Sequence, residues 1–246
     1  FRRVLFRSEN PHAYIESNIV GFMNILECCR YNDVKGLIYA SSSSVYGGNE
    51  KIPFSLDDPV DKPISIYAAT KKANELMAHA YSHLYGLHTI GLRFFTVYGP
   101  WGRPDMALFL FTDKILKGEP IPVFNYGNMK RDFTYIDDII TGTRSAIEKN
   151  YKCEVFNLGN HRSEELMGVV HLIEKNLNKK AKINFQPMQQ GDVPVTYADI
   201  NKTQEMLSFE SGTNIDKGIR EFVGWYKEYT AWAIISPTNL SKVNHN

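Results

Sequence analysis

The 246-residue sequence is poor in cysteine and has no excess of charge of either sign. Its three cysteines, of which Cys28 and Cys29 are adjacent, lack the spacing of a zinc site or of a disulfide framework. The formal net charge of +1 gives no electrostatic reason to expect nucleic acid as a partner. We therefore expect no metal site, no nucleic-acid partner, and the reducing cytoplasm as the compartment.

Long apolar runs are also missing. No apolar segment approaches the roughly 20 residues that a membrane helix requires, so we predict no membrane segment in this chain. Residues 1–8 are basic and partly apolar, but they are too short for the apolar region of a signal peptide. With 43% hydrophobic residues, the chain can form one large domain or two closely packed ones.

Strand and helix patterns alternate through the first hundred residues. Apolar residues recur at helical spacing over residues 10–30, and a second helix is predicted over residues 67–85, before Gly86. Unbroken apolar segments at residues 35–40 and 89–95 are typical of strands that are covered on both faces. This order predicts an α/β fold with a doubly wound parallel sheet of the Rossmann type.

Beyond Pro100 the pattern changes to shorter elements separated by loops. We predict helices at residues 105–117, 137–149, 164–178 and 216–229, and strands at residues 121–124 and 154–158. These elements indicate a smaller C-terminal α/β domain. The segment from Ala231 onward has no periodicity and is expected to be an irregular tail.

Tyr67 and Lys71 are four residues apart on one predicted helix, so they face the same side. A nearby cation favours the phenolate form of a tyrosine, which lets the phenol oxygen act as a base near neutral pH. By itself this spacing is weak evidence, because tyrosine and lysine meet in this way in many helices by chance.

A serine run, ASSSSVYG at residues 40–47, directly follows the first predicted strand. The carboxyl ends of parallel strands are where such sheets bind ligands, although a polar turn is the simpler interpretation. Together with the Tyr–Lys helix 25 residues after Ser42, and the proline-rich loop between them, the run resembles the active site of extended short-chain dehydrogenases. The resemblance is to their NAD-dependent epimerase/dehydratase branch, and it implies catalytic roles for Ser42, Tyr67 and Lys71.

Ser43 and Ser44 favour an epimerase within this branch. Related dehydratases and decarboxylases carry carboxylates at these positions, whereas this chain offers none there for an elimination.

Three later segments resemble UDP-glucuronate 4-epimerases: RFFTVYGPWGRPD at 93–105, IPVFNYGNMKRDFTY at 121–135, and QPMQQGDVPVTYAD at 186–199. The resemblance implies a sugar contact at Thr96, a partner for the sugar carboxylate at Arg103, a uracil pocket at Val123, Phe124 and Asn125, a pyrophosphate partner at Arg131, and a ribose neighbour at Asp192. A planar guanidinium binds a carboxylate bidentately, which independently supports Arg103. The alternatives are a solvated Arg103, and a surface ion pair of Arg131 with Asp132 or Asp137.

The resemblance further implies NAD as the cofactor, bound by Tyr67, Lys71, Ser41, Phe94 and Asn18, and a homodimer formed through the helices of Asn18 and Tyr67. For Asn18, a polar position on an exposed helix face is an equal alternative. The choice between NAD and NADP stays open, because the acidic residue that distinguishes them is not in the sequence.

No glycine-rich turn of a dinucleotide-binding domain occurs before Asn10. The family has on the order of 90 residues before that point, so we expect an N-terminally incomplete chain that is inactive by itself. The expected organisation is a non-matching end at 1–8, a partial NAD-binding domain at 9–98, a mainly nucleotide-sugar-binding domain at 99–230 of which 132–160 returns to the sheet, and an irregular tail at 231–246.

The predicted function is epimerisation at C4 of a UDP-sugar, from UDP-glucuronate to UDP-galacturonate, through a transient 4-keto sugar. The alternatives are a UDP-glucose 4-epimerase, another sugar-nucleotide epimerase or dehydratase, and an inactive nucleotide-sugar-binding fragment.

Overall fold

The computed structural model describes residues 10–235 of the chain. The expectations for residues 1–8 and for the tail beyond residue 235 lie outside the described residues. Within that range, no helix has both the length and the apolar character that crossing a membrane demands.

Eight α-helices are present in the described part of the chain. They are α1 (Pro11–Tyr14), α2 (Gly21–Tyr31), α3 (Ile66–Tyr85), α4 (Ala107–Lys117), α5 (Ile136–Lys149), α6 (Leu166–Leu177), α7 (Asn201–Leu207) and α8 (Ile215–Ile235). A π-helical segment, Ile15–Val20, joins α1 to α2, and short 3-10 turns lie at Ser43–Tyr46 and Phe124–Gly127.

The strands are β1 (Gly36–Ser42), β2 (His88–Phe94), β3 (Thr96–Tyr98), β4 (Pro120–Val123), β5 (Lys130–Arg131), β6 (Phe133–Tyr135), β7 (Cys153–Leu158), β8 (Glu164–Glu165) and β9 (Lys182–Phe185). The main sheet has the order β1-β2-β7 and is parallel throughout. Smaller two-stranded pairs are β3 with β6, β4 with β9, and β5 with β8.

The parallel sheet confirms the predicted fold class. Helix α3 provides the crossover between β1 and β2, which parallel neighbours require. Ser65 begins this helix by accepting a hydrogen bond from the Ala68 amide, and Gly86 ends it in the left-handed conformation. Strand β2 is the middle strand, and accordingly its residues 89–93 are all buried.

Three predicted boundaries are wrong. The helix predicted from residue 105 begins at Ala107, because Asp105 lies in the turn that the Met106 amide closes onto Arg103. Glu164 and Glu165, predicted as the start of a helix, form β8, because they pair with Lys130 and Arg131 of β5. Helix α8 was expected to give way to an irregular tail at Ala231, but it continues to Ile235. The sequence from 230 to 235 contains neither glycine nor proline, so nothing in it ends a helix that is already formed.

Among residues 10–235, the buried apolar side chains form three clusters. One surrounds the main sheet and includes Phe156 and Leu158, and another packs α4, α6 and α8 together around Phe111 and Phe222. A small third cluster around Leu26 lies between α2 and α3.

A buried ion pair connects helix α3 to strand β2. Glu75 and Arg93 are only 5% and 3% exposed, and the guanidinium donates two hydrogen bonds to the carboxylate, Nε to Oε1 at 2.8 Å and Nη2 to Oε2 at 2.9 Å. Ser41 of β1 donates a third, at 2.7 Å, and Lys72 lies 3.0 Å from the same carboxylate. Burial alone would raise the pKa of Glu75, but the hydrogen bonds and charge of Arg93 lower it.

We predict that Glu75→Gln lowers the free energy of unfolding by about 3–5 kcal/mol, because it leaves the Arg93 charge buried without its counter-ion. Urea denaturation followed by circular dichroism measures this change. The control is Glu148→Gln, which removes the same charge from the exposed pair with Arg144 and should cost no more than about 1 kcal/mol. Equal costs for the two variants would contradict the prediction.

Candidate functional site

A cavity of about 420 Å³ opens at the carboxyl ends of β1 and β2. Its walls come from the serine turn after β1, the start of α3, the end of β2, the loop before α4, strand β5, and the segment around residues 189–196. This is the edge of a parallel sheet at which ligands bind. The predicted site residues Ser41, Ser42, Tyr67, Phe94, Thr96, Arg103, Arg131 and Asp192 all line this cavity.

Ser42 is fixed at the end of β1 by the turn that follows it. Its hydroxyl oxygen accepts a hydrogen bond from the Ser44 amide at 3.1 Å, and it donates to the Ser44 hydroxyl at 3.1 Å. The side chain of Ser42 therefore caps the 3-10 turn while it lines the cavity.

Tyr67 lies in the first turn of α3, and its ring also lines the cavity. The Lys71 ammonium is 6.0 Å from the centre of that ring and donates to the backbone oxygen of Ala40 at 2.9 Å. The ring of Tyr14 packs edge to face against the Tyr67 ring, with 5.9 Å between the two ring centroids. The structure thus brings the predicted tyrosine, lysine and serine to one end of the sheet.

Arg103 is an exposed loop residue, but it is paired rather than free in solvent. Its Nε and Nη2 atoms donate to the two oxygens of Asp105 at 3.0 and 3.1 Å, which is a bidentate ion pair in the cavity wall.

Arg131 pairs with neither Asp132 nor Asp137, and that alternative is wrong. Its Nη2 atom donates to Asp192 at 2.9 Å, and its Nη1 atom donates to the backbone oxygen of Pro194 at 3.0 Å. Burial lowers the pKa of the Arg131 guanidinium, and the Asp192 carboxylate opposes that effect. The two residues that were predicted to meet the pyrophosphate and the ribose therefore contact each other.

The predicted uracil residues do not line this cavity. Val123 and Phe124 are buried in the core around α4 and α6, and the Asn125 amide donates to the backbone oxygen of Asn128 at 2.7 Å. Burial of these two apolar side chains takes them away from the cavity wall, and their contact with uracil stays a prediction.

Asn18 lies on the π-helical segment and does not line the cavity either. Its side chain donates to the Thr70 hydroxyl at 2.9 Å, and its backbone oxygen accepts from Asn74 at 2.6 Å. Asn18 is therefore partly buried and hydrogen-bonded rather than on an exposed helix face. It joins the π-helical segment to α3 at Thr70, the residue before Lys71.

Two acidic residues of the site region were missed. Asp105 follows Arg103 across one proline, a local spacing that could have suggested the pair. Asp132 is fully buried, and its carboxylate accepts from the amides of Asn160 and Ala198 at 2.6 and 3.0 Å. These partners are 28 and 66 residues away, so no local pattern points to them.

A parallel sheet that carries a serine turn and a Tyr–Lys helix at its carboxyl edge defines a dehydrogenase of the short-chain type. Residues 3–159 match the model of the NAD dependent epimerase/dehydratase family. This match covers more than half of the chain, and the chain belongs to that family. The resemblance seen in the sequence is thereby confirmed.

Several individual proteins of the family are similar to this chain in sequence or in structure. An uncharacterised protein of Methanocaldococcus jannaschii is 56% identical over 231 residues, which are 94% of this chain and 71% of that protein. UDP-glucuronate 4-epimerase 4 of Arabidopsis thaliana is 48% identical over 244 residues, which are 92% of this chain and 56% of that protein. The crystal structure of UDP-glucuronic acid 4-epimerase from Bacillus cereus, in complex with UDP-glucuronic acid and NAD, aligns with a TM-score of 0.85 at 33% identity. That alignment covers 90% of this chain and 70% of the Bacillus cereus chain.

Asp132 gives the site region a testable response to pH. Burial raises its pKa from 3.8 to about 6, although the amide of Asn160 and other donors oppose the shift. Between these pH values the folded protein holds a proton that the unfolded chain has released. The carboxyl group therefore contributes stability below about pH 3.8 that is lost as the pH rises to about 6.

We predict that Asp132→Asn removes this pH dependence. The stability of the unchanged chain relative to the variant should fall by on the order of 2–3 kcal/mol between about pH 4 and pH 6. Urea denaturation of both proteins at intervals across this range measures the difference. Parallel stability curves would show that the buried carboxyl group is not the cause.

Proposed function

We propose that this chain carries the catalytic and substrate-binding residues of an enzyme that epimerises C4 of a UDP-sugar with NAD, and that the substrate is UDP-glucuronate, converted to UDP-galacturonate. The observation that carries the proposal is the shared cavity in which Ser42 and Tyr67 face Arg103 and Arg131. It joins a hydroxyl and a phenol, which can move a proton, to two cations, which can hold an anionic substrate. The relatives from Arabidopsis thaliana and Bacillus cereus support the same reaction.

The residues around β1 fit a nicotinamide cofactor. Lys71 lies at the carboxyl end of that strand, fixed by Ala40, and Ser41 and Phe94 line the adjoining wall. Together with Asn18 on the neighbouring helix, they are the residues that would hold the cofactor. When bound, NAD would supply the acceptor and then the donor of the C4 hydride.

Proton transfer falls to the side chains of this chain. Tyr67, as the phenolate, takes the proton of the 4-hydroxyl group, and Ser42 donates a hydrogen bond to the same oxygen. The Lys71 ammonium lies 6.0 Å from the centre of the Tyr67 ring, so its positive charge acts on the phenol oxygen during the proton transfer. Return of the proton from Tyr67 after the sugar has turned over completes the epimerisation.

The two arginines hold the anionic parts of the substrate in this proposal. Arg131 binds the pyrophosphate and Arg103 binds the sugar carboxylate bidentately. The 4-keto form of a uronate is a β-keto acid that can lose carbon dioxide. A fixed carboxylate keeps the breaking bond misaligned for that loss.

We predict that Tyr67→Phe lowers the rate of UDP-glucuronate conversion by about 10²–10⁴-fold, because the base is removed while its ring remains. The assay separates UDP-glucuronate from UDP-galacturonate by chromatography. It uses the 246-residue chain and a form extended by the parts of the Methanocaldococcus jannaschii relative outside the match. Tyr31→Phe, at an exposed tyrosine that does not line the cavity, is the matched control and should convert at the unchanged rate.

Each outcome of this assay separates two functions. Turnover of UDP-glucose in place of UDP-glucuronate would keep the mechanism and overturn the uronate substrate. No turnover of either sugar by the extended form would favour a binding protein without catalysis. Turnover by the 246-residue chain alone would contradict the expectation that it is inactive.

We also propose that the chain forms a homodimer through two helices. One is α3, which contains Tyr67, and the other is α2 with the π-helical segment before it, which contains Asn18. Both helices expose large apolar side chains, among them Ile25 at 49%, Leu76 at 60% and Leu84 at 64%. Burial of such side chains against a second copy is favourable, and a two-fold axis uses the same surface twice.

We predict that Leu76→Glu makes the protein monomeric, since the charge would have to be buried in the interface. Sedimentation velocity gives the mass of each form. Ile147→Glu, at an equally exposed apolar position on α5, is the control and should leave the dimer intact. A Leu76→Glu protein with the mass of the unchanged one would refute this interface.

A further inference from the structure

Arg103 already has a carboxylate partner inside the cavity. Asp105 accepts from one edge of the guanidinium, from Nε at 3.0 Å and from Nη2 at 3.1 Å, and both residues line the cavity wall. A substrate carboxylate that binds the same fork of the guanidinium must therefore take the place of Asp105.

The backbone keeps this competitor close. The Met106 amide donates to the Arg103 oxygen at 3.0 Å, which closes a turn over Pro104 and Asp105. Proline pre-sets the backbone at the first central position of such a turn. Asp105 consequently stays within reach of Arg103 at a high effective concentration whether or not a ligand is present.

Exposure makes the pair exchangeable. The Arg103 and Asp105 side chains are 43% and 34% exposed, so a displaced Asp105 carboxylate can turn to water. The Glu75–Arg93 pair is its opposite, because those side chains are 3% and 4% exposed and a separated charge would remain buried. The Glu75–Arg93 pair therefore stays formed, whereas the Arg103–Asp105 pair can separate.

We propose that Asp105 is a specificity-determining residue that competes with the sugar carboxylate for Arg103. This inference rests on the proposed function. A uronate displaces Asp105 and gains one carboxylate–guanidinium pair as another is lost. Its carboxylate is therefore fixed in position once bound, but it adds little to the overall affinity. A neutral sugar leaves the Arg103–Asp105 pair closed and meets no unpaired charge in the cavity.

The test is the binding of UDP-glucuronate, UDP-glucose and UDP to the unchanged protein and to Asp105→Asn, measured by calorimetry on the 246-residue chain and its extended form. We expect Asp105→Asn to bind UDP-glucuronate about two- to fivefold more tightly, the range that exposed ion pairs contribute. Its binding of UDP-glucose and UDP should not change. Unchanged or weaker UDP-glucuronate binding by a variant that still binds UDP would overturn the proposal.

Matched variants isolate the cause. Glu148→Gln removes the same charge outside the cavity wall and should change none of the three affinities, so tightening there would reveal a net-charge effect and overturn the competition. Asp105→Glu keeps the carboxylate and should restore the weaker binding. If Asp105→Asn no longer binds UDP, Asp105→Ser takes its place with the same expected tightening.

Arg103→Ala separates failure of this inference from failure of the proposed function. It should weaken binding of UDP-glucuronate and leave UDP-glucose unchanged. If it weakens neither, the uronate assignment fails and the competition fails with it. If it weakens UDP-glucuronate while Asp105→Asn gives no tightening, the proposed function stands and the role of Asp105 alone is overturned.

Discussion

The site depends on the buried ion pair between Glu75 and Arg93. It joins α3 to β2, and Ser41 adds β1 to the same carboxylate. Ser42 follows Ser41 directly, and Tyr67 lies about two turns before Glu75 on the same helix. The relative position of the proposed base and its hydroxyl partner is therefore fixed by a buried pair of charges.

A second buried carboxylate, that of Asp132, connects the segments on the side of the cavity that Thr96 and Arg131 line. Asp132 accepts hydrogen bonds from segments around Asn160 and Ala198, and its backbone oxygen accepts from the Thr96 amide at 3.0 Å. Arg131 precedes it directly, and Thr96 lines the same cavity. Arg103 and Arg131, the two arginines proposed to bind the substrate anions, are each paired with a carboxylate, so their charges are balanced before a substrate enters.

Elements whose ends are marked by local sequence signals are predicted correctly. Helix α3 was predicted over 67–85 and runs over Ile66–Tyr85, because Ser65 and Gly86 mark its ends. The serine turn and the Tyr–Lys helix meet as expected, since α3 is the crossover helix that connects β1 to the neighbouring parallel strand β2. Long-range pairs were not accessible: Arg131 meets Asp192 61 residues away, and Glu165 joins β8 to Lys130 rather than starting a helix. In both cases the partner is chosen by tertiary packing, which a local pattern does not encode.

α1, the π-helical segment and α2 form one continuous helical stretch from Pro11 to Tyr31. The π-helical segment makes the number of residues in this stretch more important than their identity. Tyr14, Asn18 and Phe22 are four residues apart, and each contacts α3 or β1. A regular α-helix turns about 40° too far over each four-residue step, so such a row drifts around the axis. The wider turn of a π-helix opposes that drift and keeps the row on one face. Deletion of a single residue between Ile15 and Val20 would turn Tyr14 away from Tyr67, whereas most substitutions there would leave the alignment intact.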